Sequence, residues 1–164
     1  MRLRLTTLLG TLLCSSAIAL AQPTAMPPID PASIPPQCAA VAAVPADAKI
    51  PLPALAARVA LATCGAESRF ATLKLTPDDA GIKAISDAAK ASFDLLDEVI
   101  KSGDAQVTPI ATKAKADIYV SMAVRMRNSI PPITMQTVGA PLIEHDQAHA
   151  ALEPKIKPWL DSAK

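Results

Sequence analysis

Residues 76–103 read TPDDAGIKAISDAAKASFDLLDEVIKSG, and the reading of this stretch decides the fold class. Thr76 is a candidate N-cap, Pro77 suits the first helical position, and Asp78 and Asp79 complement the positive end of a helix. Ile82, Ile85, Ala89, Ser92, Leu96 and Val99 then recur at three- and four-residue steps, with Phe93 and Ile100 beside them. A second face carries Lys83, Asp87, Lys90, Asp94, Asp97 and Lys101, which reads as a solvated row of mostly opposite charges. Gly103 stands where a left-handed residue ends a helix.

The same periodicity extends outward from this amphipathic helix. Upstream, about 53–72, Leu55, Ala56, Val59, Ala60 and Ala62–Thr63 fall at mixed three- and four-residue steps, with Arg58 and Arg69 as polar positions. Downstream, Thr108-Pro109 repeats the Thr-Pro start, and a stripe of Ala111, Ala114, Ile118, Met122 and Met126 runs until Ile130-Pro131-Pro132 stops it. No further signature residues recur with that Thr-Pro start, so it does not mark a solenoid. A fourth helix is expected from about Pro141 to Glu153, where Pro154 removes a helical hydrogen bond and starts a new turn or a short helix through Trp159. Short connections then predict an all-α fold, an up-down bundle of three to four helices over residues 53–164.

Of the 16 prolines, nine fall within residues 22–53, which predicts an extended, partly polyproline arm over 22–52 rather than a regular helix or a central strand. Such arms serve as spacers, or as ligands for aromatic grooves. Residues 1–21 have the form of a signal peptide: Arg2 and Arg4 are a positive n-region, Leu5 to Leu20 are mostly apolar, and Ala19-Leu20-Ala21 is a small-x-small cleavage site before Gln22. Bulky Leu13 before Cys14 disfavours a lipoprotein site there. No membrane span is expected after cleavage, since Arg58 interrupts the best later candidate, Pro51 to Ala66. The expected location is therefore a periplasm or the extracellular space. In that oxidising setting Cys38 and Cys64, left as a pair once Cys14 is removed, are expected to form one disulfide.

Composition narrows the function classes. Lys and Arg number 16 against 15 Asp and Glu, a formal charge of +1, which lacks the basic excess of a nucleic-acid binder. Two Phe, one Tyr and one Trp leave little for a stacking platform or a large aromatic-lined pocket. Hydrophobic residues make up 51% of the chain, but 33 of the 164 residues are Ala, so the core should be thin and helical. Isolated glycines form no phosphate-binding or dinucleotide-binding pattern, and no Gly-x-Ser-x-Gly elbow occurs. Asp78-Asp79 and Asp97-Glu98 are adjacent carboxylates that a helix points apart. Arg125 and Arg127 read as charges complementing a helix C-terminus.

The chemistry-bearing candidates are the two histidines in Glu144-His145-Asp146-Gln147-Ala148-His149. Their four-residue spacing puts both imidazoles on one helix face, within the stripe Leu142, His145, His149, Leu152 and Ile156. Two readings follow: a pair bonded to carbonyls or to Asp146 at a partly wet edge, or two ligands for one copper or zinc ion. Met122 and Met126, also four apart, would suit copper if the third and fourth helices brought them to the histidines, and otherwise fill core gaps. Over five residues, His145 to His149 resembles the HExxH motif of zinc proteases, with the shorter Asp146 in place of the Glu that acts as general base. A third ligand would have to come from Asp117, Glu98 or another upstream residue.

The sequence thus predicts an exported, non-enzymatic helical bundle with a structural role or a partner in the envelope or outside the cell. The alternative is a small metal-binding protein using His145 and His149.

Overall fold

A computed structural model describes residues 29, 34–42, 51–134 and 137–164 of the chain. The expected signal segment lies outside the described residues, as do Pro23, Pro27, Pro28, Pro31 and Pro45 of the arm.

Four long helices make the fold, and no strand occurs among the described residues. A 3-10 turn at Pro36–Cys38 leads into α1 (Ala39–Ala42), and then follow α2 (Pro51–Ala71), α3 (Asp79–Lys101), α4 (Thr108–Arg127) and α5 (Ala140–Ser162). The extended reading of the arm therefore fails at residues 36–42. Pro36 sits in the first turn of that segment, where its missing N–H needs no helical partner, and the chain coils there rather than running straight. Cys38 is fully buried and bonded to Cys64, which fastens this turn onto α2, and Gln37 donates to the Ser68 hydroxyl one turn further along.

Successive long helices run antiparallel. Arg58 meets Glu98 and Arg69 meets Ser92 between α2 and α3. Lys115 meets Asp97 and Tyr119 stacks near Phe93 between α3 and α4. Arg127 meets Glu153 between α4 and α5. Both α2 and α5 pack on the α3–α4 pair. Glu67 of α2 reaches Ser121 and Arg125 of α4, while Lys155 of α5 reaches Asp79 at the start of α3.

The core follows the predicted stripes of α3 and α4. Ile85, Ala89, Ser92, Leu96 and Val99 are buried on α3, and Ala111, Ala114, Ile118, Met122 and Met126 on α4. On α2 the members of the core cluster are Leu55, Val59, Ala62, Ala66 and Phe70, with Leu61 buried beside them, while Ala56, Ala60 and Thr63 are exposed. Small Ala and Thr carry too little apolar area to orient a helix, so the larger Leu55, Val59 and Phe70 set its inward face. Arg58, predicted as a polar position, is buried, and its guanidinium meets Glu98 at 2.6 Å.

Two helix ends depart from expectation. Asp78, not Thr76, is the N-cap of α3: its Oδ1 accepts from Gly81 N at 2.9 Å and from the Thr76 hydroxyl at 2.7 Å, so Pro77 lies outside the helix. The chain folds back so tightly here that a Cβ on Gly81 would sit 1.9 Å from the Thr76 carbonyl oxygen, which only glycine avoids. These bonds favour the ionised Asp78 and lower its pKa below the usual carboxylate range, the Thr76 hydroxyl being the larger cause. A carboxylate whose folded pKa is depressed stabilises the fold above its unfolded pKa, and that contribution disappears as pH falls through the folded value. Asp78→Ala should therefore lower the melting temperature at neutral pH, Asp78→Asn should retain most of the cap, and the gap between wild type and Asp78→Ala should close in acid. A gap that is independent of pH would contradict this role.

The second departure is α5, which continues through Pro154 and Pro158 as one helix to Ser162. The prolines remove N–H groups that would bond the carbonyls of Ala150 and Pro154. Ala150, Pro154 and Pro158 are all exposed, so water can serve those carbonyls. On the inner side Leu152 and Ile156 are fully buried, and Trp159 and Leu160 pack against the core. Burial of Ile156 alone contributes about 1.5–3 kcal/mol, and ending the helix at Glu153 would forfeit it. Gly103, with φ at +69°, follows α3 in the left-handed conformation predicted for it.

Candidate functional site

The antiparallel register of α4 and α5 decides which candidate residues meet. Met122 lines a groove with Pro158 and Trp159, Arg127 pairs with Glu153, and Ile130 shares a cleft with His145 and Ala148. Met122 thus stands opposite Trp159, ten residues or roughly 15 Å along α5 from His149. Met122 and Met126 are buried members of the core cluster, as their gap-filling role requires. Asp117 pairs with Lys113 on the exposed face of α4, and Glu98 with Arg58 towards the C-terminus of α3. Neither joins the histidines, and among the described residues no group of three or more His, Cys, Asp or Glu could hold a metal ion.

His145 and His149 do lie together. Their ring centroids are 4.6 Å apart with the planes at 59°, and both side chains are half-buried at the edge of the core. His145 Nδ1 makes a long 3.5 Å contact with exposed Asp146, and its side chain is 19% exposed. One turn further on, Glu153 receives Arg127 through two hydrogen bonds of 2.7 and 2.8 Å. Those bonds from the guanidinium are the main reason that the Glu153 carboxyl is held below the usual range and that Arg127 is raised. Arg127 is therefore a clasp between α4 and α5, and Arg125 one between α4 and α2 through Glu67 at 2.6 Å, where the sequence suggested only helix-end charges.

His145 also lines a cleft of about 370 Å³ where the α4–α5 connection returns over the bundle end. Pro77, Ile130, Pro131, Pro132, Ile133 and Pro141 form its apolar wall, and Glu144, His145 and Thr137 supply polar groups. The volume falls in the range of small-molecule and side-chain pockets, and the mix of an apolar wall with a few polar groups is that of a binding site. Part of that apolar wall is exposed, at Pro131, Pro132, Ile133 and Pro141. In the sequence Ile130-Pro131-Pro132 reads as a helix stop, and the signal for the cleft is the apolar Ile-Pro-Pro-Ile run in a connection, where polar residues are usual.

A second groove, of about 460 Å³, gathers Phe93, Tyr119 and Trp159 between α3, α4 and α5. So few aromatic residues suggested no such assembly. Its carboxylates are already engaged, Asp87 by Lys83, Asp94 by Lys90 and Asp97 by Lys115. Lys115 also lies 5.7 Å from the Phe93 ring centroid. The charged groups of this groove are thus taken up in its own ion pairs, whereas the wall of the cleft at His145 is apolar.

No family model, curated protein or solved structure matches this chain. No helix among the described residues is long and apolar enough to cross a membrane.

Proposed function

We propose that this chain is an exported, non-enzymatic bundle protein that binds a protein partner of the envelope or extracellular space through the cleft between the α4–α5 connection and the start of α5. The apolar surface of that cleft carries the reading: Ile133, Pro131, Pro132 and Pro141 of its wall remain exposed. Exposed apolar side chains clustered about a concavity and rimmed by polar groups mark interaction sites, whereas single ones are ordinary. Rigid proline walls suit this task, because little conformational entropy remains to be lost when an apolar side chain of a partner enters. Residues 1–21 and the Cys38–Cys64 bond support export to an oxidising compartment.

Affinity capture from an envelope extract tests the proposal. Ile133→Asp, in the wall of the cleft, should weaken capture of the partner by at least about tenfold, as loss of an anchoring side chain does. Val120→Asp, on the exposed face of α4, should leave it unchanged. Equal capture by the Ile133→Asp variant would overturn the proposal.

A further inference from the structure

We infer that His145 and His149 form a two-imidazole binding site for one divalent transition-metal cation of the copper or zinc class. The inference is independent of any protein partner. Two imidazoles that share a cation at about 2.1 Å, with about 90–109° between them, place their ring centroids roughly 4.6–5.3 Å apart. The observed separation is 4.6 Å, so the rings already stand at chelating distance on the turn that carries them. Their nitrogens are not committed to holding the fold. Among the described residues His149 has no hydrogen-bond partner, and His145 has only the long contact from Nδ1 to Asp146.

That contact has the form of an outer carboxylate orienting a metal-binding imidazole: Asp146 beside Nδ1 leaves Nε2 as the donor. Glu144 and Asp146 add two negative charges next to the pair, and among the described residues neither is engaged by a lysine or arginine, so the local field favours a cation over an anion. Glu153 supplies no third ligand while Arg127 holds both of its oxygens. The remaining coordination positions belong to water or to a ligand entering the adjoining cleft, which His145 also lines. Imidazole donors select copper, zinc or nickel over magnesium and calcium, and copper should bind most tightly of these.

Calorimetric titration of the purified protein with Cu²⁺ and with Zn²⁺, in a buffer that does not bind metals, tests the site. One equivalent per chain is expected, copper the tighter, with His145→Gln and His149→Gln each weakening binding at least about tenfold. Circular-dichroism melting of the variants establishes that they fold. Electron paramagnetic resonance of the copper-loaded wild type supplies a readout that does not depend on the variants, and nitrogen hyperfine structure from two imidazoles is expected. Saturable binding of neither cation, undiminished affinity in both variants, or a copper spectrum without imidazole nitrogen would each overturn the inference.

Discussion

Reduction of the Cys38–Cys64 disulfide is expected to lower the unfolding free energy by about 3.5 kcal/mol, the loop-closure entropy for a loop of this length. The bonded residues lie 26 apart in sequence, and the bond joins the turn at Pro36–Cys38 to the middle of α2. Among the described residues nothing else of comparable strength secures that turn. The Gln37–Ser68 hydrogen bond is exposed, and the α1 side chains at Ala39, Ala40 and Val41 are exposed too. Domains of this size are stable by about 5–15 kcal/mol in total, so the bond accounts for a substantial share of it. Urea unfolding with and without reductant, and of a Cys38→Ala, Cys64→Ala variant, measures the effect. The midpoints should shift together in both comparisons, while coincident curves with and without reductant would contradict the assignment.

Phe70→Ala should destabilise the bundle by about 3–5 kcal/mol, the range for emptying a buried aromatic site. Phe70 heads the fully buried side chains in size and is 2% exposed near the C-terminus of α2. The Arg125 guanidinium carbon lies 5.5 Å from its ring centroid, so the ring also supports the Arg125–Glu67 clasp between α4 and α2. A close-packed interior relaxes only partly around a deleted ring, so a cavity should remain. Half-buried Phe93 is the control, and Phe93→Ala should have the smaller effect. Equilibrium urea unfolding should show a lower midpoint with an unchanged slope. A loss below about 1 kcal/mol would mean that the core is not organised around this ring.

How far the sequence spoke for the fold depended on how local each signal was. The α3 stripe from Ile85 to Val99 and the α4 stripe from Ala111 to Met126 were legible because period alone places them. The disulfide was legible because only two cysteines remain once the expected signal segment is set aside. Pro154 misled because its local penalty was weighed without its surroundings: its freed carbonyl partner is exposed, while Ile156 two residues on is fully buried. Asp78 took the N-cap from Thr76 because both are capping residues, and the approach of Thr76 to Gly81 settles which one caps. The histidine pair was visible as a spacing, since one helix carries both. The cleft was not, because Pro77, Pro131 and Pro141 meet only after three helices have packed. Nor were the clasps from Arg125 to Glu67 and from Arg127 to Glu153, which join residues far apart in the chain.

The measurement that bears most directly on the binding role is photo-crosslinking in intact cells, with a benzophenone side chain placed at position 133 in one protein and at position 120 in another. Both positions are exposed, one in the wall of the cleft and one on the outer face of α4. The binding role predicts a discrete adduct with the same partner from position 133 and none from position 120. An adduct from position 120 alone, or none from either, would contradict it.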